Sequence, residues 1–297
     1  MNGRGRPTEG ATVERGTHPP AAGRPAEQWG RGRSAAVRAL AALGLVTFSF
    51  MLVLVTLDAL GRVGQVAVLE PPGSVEARVG AEHPGEAVHL VGAVAALAIA
   101  ASGLIWLVVR PRSAGFATQA AAAALGAIAV VLVMGDPDNY GGQAGPVDLA
   151  FLVMTLPALA AALTAVPWRQ WRRGGVARPR LLVLAVLGLP AVAFGVQQAL
   201  VQRRTWPPLA DPHHQSHWYA MAVLGLIAVP VVAGAAFAGR GWRTGTTTVG
   251  LAAVAVAVTS LVAPAAGSAL HSVWAIAALL WGLSLLAATF TPSRTPA

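Results

Sequence analysis

The chain contains no cysteine and no lysine. The first absence excludes disulfides, Cys-ligated zinc and Cys-ligated iron–sulfur clusters. The second means that all 21 basic residues are arginines. Charge as a whole is scarce, at 11% of 297 residues, whereas soluble domains carry about 25%. Several catalytic signatures are missing too: there is no phosphate-binding glycine loop, no Gly-x-Ser-x-Gly elbow and no His-Glu-x-x-His pair.

What is present is apolar. Hydrophobic residues make up 55% of the chain and gather into long blocks rich in alanine and leucine. Crossing about 30 Å of hydrocarbon takes roughly 20 apolar residues. Lipid offers the backbone no hydrogen-bond partner, so such blocks must be helices or a closed barrel. They lack polar/apolar alternation, which selects helices. The blocks fall near 36–58, 86–109, 115–134, 147–167, 181–200, 217–239, 247–263 and 270–289. The expected fold is therefore all-α, a polytopic membrane bundle of about eight transmembrane helices over residues 35–290. Pro190 and Pro230 fall inside the fifth and sixth blocks and should kink them. Residues 1–34, rich in Gly, Arg and Pro, cannot bury enough surface to offset ordering entropy and read as a disordered cytoplasmic tail. Residues 291–297 read as a short cytoplasmic C-terminal tail. The first block is too long for the core of a cleaved signal peptide, so it should remain as a span.

The net charge of +9 suggests nucleic acid until the arginines are placed. They lie in short loops, where they act as topology signals, so the expected partner is the lipid bilayer and not nucleic acid. With the N-terminus inside, 17 arginines fall on the inner face and only Arg62, Arg78, Arg203 and Arg204 on the outer one. That split predicts both termini in the cytoplasm. Trp168, Trp171 and Trp242 stand beside inner arginines, where an aromatic belt belongs. The wealth of Ala, Gly, Val and Arg is that of a GC-rich bacterial coding sequence, which places the chain in a bacterial plasma membrane.

The acids and histidines segregate the other way. Apart from Glu9, Glu14 and Glu27 in the tail, all the acids fall on the outer face, and so do six of the seven histidines. Arginine filling the inner loops accounts for the acids but less well for the histidines, because the positive-inside rule concerns Lys and Arg. The polar groups of most interest, with His213 and His214 among them, open the even-numbered spans, which enter from outside. Glu86 and His89 open the second, Asp148 the fourth, His217 the sixth and His271 the eighth. Helix starts carry the positive pole of the dipole, which disfavours imidazolium and favours the neutral ring that binds metals. The densest segment is Asp211-Pro212-His213-His214-Gln215-Ser216-His217. Asp before Pro reads as N-cap and N1, so His213 and His217 share one helix face at i and i+4. A divalent metal or haem is the expected cofactor, held by His213, His217, His271 and His89, with Asp148, Asp211, His214 and Glu86 in support. Each residue also has a plainer reading, as a solvated loop edge, an interfacial anchor or a helix cap.

About eight spans with histidines near the outer ends of even helices resemble the haem A synthase family. Glu86-Ala-Val-His89 matches that family's Glu-x-x-His on span two, and His217 (or His213) and His271 could match its haem ligands on spans six and eight. The resemblance implies haem ligation at the outer face. The chain departs from the family at span four, which has Asp148 and Met154 but no histidine, and at Leu90, where the family has Arg. The family's outer-loop cysteines are also absent.

Three functions remain open on the sequence. One is a metal- or haem-linked site at the extracytoplasmic ends of the even helices. Another is a non-catalytic membrane scaffold, assembly factor or sensor. The last is a passive or lipid transporter, since no ionisable residue sits at midspan to couple an ion. The topology is directly testable. Alkaline phosphatase fused after residue 75 or 210 should be active, and green fluorescent protein fused at the C-terminus should fluoresce. The inverse pattern would refute the orientation.

Overall fold

The computed structural model describes residues 25–67, 86–134, 146–165, 176–204, 217–237, 241–264 and 269–291. All the regular structure among them is helical. The elements are α1 (Pro25–Ala67), α2 (Glu86–Val109), α3 (Ala114–Met134), α4 (Pro146–Ala165), α5 (Pro179–Leu187), α6 (Leu189–Arg204), α7 (His217–Phe237), α8 (Trp242–Val262) and α9 (Ser272–Phe290). Among the described residues seven segments are long and apolar enough to cross a membrane, with α5 and α6 counting as one of them, Pro179–Val201. α4 is 20 residues long and adds the apolar stretch Thr155–Ala165.

The apolar blocks and the helices agree to within a few residues, with two differences. α1 begins at Pro25 and runs for 43 residues, although its apolar segment is Gly30–Phe50. The block at 181–200 is interrupted at Gly188. Pro190 has no N–H to give the carbonyl of Val186, and the N–H of Ala191 donates to Gly188 at 2.8 Å, a tighter i→i−3 turn. Pro190 thus occupies the first turn of α6, where proline is tolerated. Pro230 lies inside α7 without interrupting it, and so does Pro157 in α4.

Size, more than polarity, separates inside from outside. More than half of the buried apolar residues are alanine, while leucines, valines and phenylalanines cover the outer surface, with Leu132 68% and Val262 80% exposed. In water such a surface would aggregate. In lipid it is solvated, and small residues inside let backbones approach. Two of the close backbone approaches are glycine to glycine. A Cβ on Gly225 of α7 would lie 2.8 Å from the Cα of Gly195 on α6, and one on Gly282 of α9 would lie 2.7 Å from the carbonyl oxygen of Gly250 on α8. These contacts pair α6 with α7 and α8 with α9. α7 is the central helix, packing on α2, α3, α5, α6 and α8, while α1 packs on α2 and α4. One core joins Val37 and Ala41 of α1 to the alanines of α3 and α4. The other surrounds α7.

One end of the bundle is closed by arginines. The last carbonyls of a helix have no intrahelical donor. Arg33 Nε donates to the carbonyl of Thr164 at the end of α4 (2.6 Å), and Arg38 Nε to that of Val108 at the end of α2 (3.1 Å). At the end of α7 the carbonyl of Ala236 accepts the backbone N–H groups of Ala177 and Arg178, each at 3.0 Å. The Arg178 guanidinium lies 4.4 Å from the centre of the Trp242 ring and that of Arg243 lies 5.5 Å from it. Burial lowers the Arg178 pKa from its ordinary value, and the like charge of Arg243 lowers it further. The starts of α1, α5 and α8 therefore share one end with the finishes of α2, α4 and α7. The starts of α2, α4 and α7 lie at the other.

The glycine contacts generate a graded prediction. Gly225→Ala presses a methyl against backbone that cannot swing away and should cost about 1–3 kcal/mol. Gly32, with nothing within 4 Å of its Cβ position, should gain about 0.5–1 kcal/mol on replacement by Ala. Thermal unfolding in detergent checks both signs.

Candidate ligand cavity at one end of the bundle

At the end away from Arg33, Arg38, Arg178 and Arg243 the two glycine-tied pairs stand apart. Between α6, α7, α8 and α9 they leave a cavity of about 670 Å³, inside the range of about 300–1,000 Å³ usual for small-molecule sites. Each helix contributes a stripe at helical spacing. α7 gives Met221, Gly225 and Ala228, and α8 gives Val249, Ala252 and Val256. α9 gives His271, Trp274, Ala278 and Trp281, and α6 gives Pro190, Phe194, Gln197 and Gln198.

The floor is set by Trp281. Its indole N–H donates to the carbonyl of Leu184 at 2.8 Å, tying α9 to the end of α5. The same carbonyl accepts the N–H of Gly188 at 2.9 Å. A Cβ on Gly188 would meet the indole at 2.6 Å, so the ring lies across the helix interruption because residue 188 has no side chain. Above this tie α6 and α9 make almost no contact with each other. From Gly188 to Gln198, and from Trp281 to His271, is ten residues, or roughly 15 Å of helix at about 1.5 Å per residue. That is about half of a 30 Å hydrocarbon layer, the depth of one leaflet.

The polar groups gather at the far end from Trp281. His271 is the N-cap of α9, exposed, and offers no side-chain cap bond. The N–H of the preceding Leu270 donates to Ser260 Oγ at 3.1 Å, which ties the residue before the α9 N-cap to α8. Gln197 is exposed, whereas Gln198 is only 5% exposed. Gln198 Oε1 has no hydrogen-bond partner among the described residues. A buried acceptor left unmade costs about 1–3 kcal/mol. The described lining carries no arginine, aspartate or glutamate.

The second buried amide is structural. Gln119 on α3 donates Nε2 to the carbonyl of Ile99 (2.6 Å) and to Ser102 Oγ (2.7 Å), both on α2. Its Oε1 lies 3.2 Å from where a Cβ on Gly245 of α8 would stand. Gln119 thus joins three helices outside the cavity.

Of the residues singled out in the sequence, His271 lines the cavity. Glu86 and His89 stand in the first turn of α2, Asp148 in that of α4, and His217 begins α7. All four are at the His271 end by backbone position, and their side chains lie outside the described residues. Gly92 of α2 packs on Met221 of α7, so His89 and His217 each stand about one turn beyond that contact on neighbouring helices. Asp211, His213 and His214 lie outside the described residues. Among the described residues no three His, Asp or Glu side chains come together as a metal site. Sequence reading passed over Trp274 and Trp281, although their spacing of seven residues already put both on one face of α9.

These features define an all-helical apolar bundle of membrane-spanning build with a cavity opening between its last helices. No protein-family model, curated protein or solved structure matches the chain.

The floor is testable. Gly188→Val should displace the indole and lower stability by about 1–3 kcal/mol. Trp281→Phe keeps the ring but loses the bond to Leu184 and should cost about 1 kcal/mol. The measurement is thermal unfolding of each variant in detergent.

Proposed function

We propose that the protein is an eight-span bacterial plasma-membrane protein, with both termini in the cytoplasm, that binds an amphiphile in the α6–α9 cavity as a lipid carrier or lipid-binding protein. The arginine end is then the cytoplasmic face and His271 lies at the outer one. The observation that carries the reading is the shape of the cavity: one leaflet deep, apolar along its length and polar only at the His271 end. A molecule of the outer leaflet has that pattern. The absence of arginine, aspartate and glutamate from the described lining favours passive binding over ion-coupled transport.

The metal or haem reading has one structural support, namely that His271 lines this cavity. One described imidazole is short of the three protein ligands that metal sites usually use. The reading therefore rests on His89, His213 and His217, with Asp148, Asp211, His214 and Glu86 beside them. An absorption spectrum and metal analysis of the purified protein separate it from the lipid reading. A Soret band or stoichiometric metal, lost on alanine substitution of His213 and His217, would favour it.

For the lipid reading, the full chain purified in mild detergent should carry about one tightly held amphiphile, detected by solvent extraction and mass spectrometry. Ala193→Trp, at an exposed lining position on α6, should fill the opening and remove it. The same mixed lipid in both preparations would refute the reading.

A further inference from the structure

We infer that the cavity selects an uncharged lipid whose head carries a hydroxyl donor, and that this lipid enters sideways from the bilayer between α6 and α9 with its head read by the amide of Gln198. The inference rests on the lipid-binding reading above and names the ligand class for that site.

The lateral route follows from exposure. On α6 the lining positions Pro190, Ala193 and Gln197 are exposed, and on α9 His271, Trp274 and Ala277 are too. These two stripes face each other across the gap where α6 and α9 barely touch. The other two walls are closed by helix packing: on α7 Met221, Gly225 and Ala228 are buried, and on α8 Val249, Ala252 and Val256 are. The opening therefore lies along the lipid-facing side of the bundle. It is bounded below by the Trp281–Leu184 tie and extends to the His271 end.

The head chemistry follows from what a lipid stands to gain. A chain already in the bilayer gains no hydrophobic free energy by moving into an equally apolar slot, so chain burial cannot discriminate one lipid from another. Discrimination falls to the polar end. There the one deeply buried polar group of the lining is Gln198, and its Oε1 lacks a donor among the described residues. A hydroxyl satisfies an amide oxygen, whereas an ether or ester oxygen cannot. A phosphate head needs charge compensation, and the described lining between Trp281 and Gln198 carries no arginine. A neutral glycerolipid and a reduced isoprenoid quinone both have this donor-bearing, chain-carrying chemistry, and the probes can tell them apart.

The test uses the full-length protein in detergent micelles, with binding read by native mass spectrometry. The probes are dioctanoylglycerol, its 3-O-methyl ether, dioctanoyl phosphatidic acid and a short-chain menaquinol. Dioctanoylglycerol should bind about tenfold more tightly than its methyl ether, the ratio set by one hydrogen bond, and at least as much more tightly than phosphatidic acid. Gln198→Leu should bring the hydroxyl and methyl-ether lipids within about twofold of each other while still binding both. Gln197→Leu should leave the preference intact. Ala193→Trp should abolish binding of every probe and so reports on the cavity itself. If no probe binds the wild type, the lipid-binding reading fails. If the lipids bind equally, or if Gln197→Leu and not Gln198→Leu erases the preference, the cavity reading stands and the assignment to Gln198 is overturned. Tighter binding of menaquinol than of dioctanoylglycerol, lost in Gln198→Leu, supports the hydroxyl rule with the quinol as source. Tighter binding of phosphatidic acid than of either overturns it.

Discussion

A helix surrounded by lipid tails gains no hydrophobic free energy by turning to another helix, so what holds this bundle together is how closely its backbones approach. That constraint accounts for the alanine-rich interior and the leucine-rich exterior. It accounts as well for the two places where glycine meets glycine, Gly195 with Gly225 and Gly250 with Gly282. Larger residues at those crossings would push the helices apart and forfeit the close dispersion contacts between backbones. The cavity is the counterpart of the same rule. The α6–α7 and α8–α9 pairs are each tied internally, while α6 and α9 barely touch, and below the opening the Trp281–Leu184 bond ties α9 to the end of α5.

The arginines satisfy two requirements at once. Their number at one end is what fixes orientation in a membrane. In the folded chain Arg33 and Arg38 also occupy the orphan carbonyls at the ends of α4 and α2, and the guanidinium groups of Arg178 and Arg243 both lie against the Trp242 ring. The carbonyl poles of these helices are negative, so cations belong there on dipole grounds too.

Much of the helical layout was legible because bilayer thickness imposes a length on every apolar block. α2 was bounded to the residue, and α3, α4 and α7 within about two. The break in span five was legible only in part. Pro190 signalled a disturbance, yet its position at Gly188 depended on an indole from α9 needing room against the chain. For the site, His271 was visible as a histidine at a helix start. Gln198 and Trp281 were visible only as residues, because burial and partnership are properties of three helices together.

The sequence by itself determined which segments are helical and which faces can meet lipid, because apolar length and residue size are local quantities set against a fixed solvent. The order of charge along the chain was equally plain, with 17 of the 21 arginines against one set of helix ends and most of the acids and histidines near the other. Only the tertiary structure decided that α6 and α9 stand apart while their partners lock together, and that a glutamine amide is thereby left buried and unmatched. The reason is that a gap is a difference between two packings, here glycine contacts on both flanks and a single tryptophan bond at the base, and no single segment encodes it.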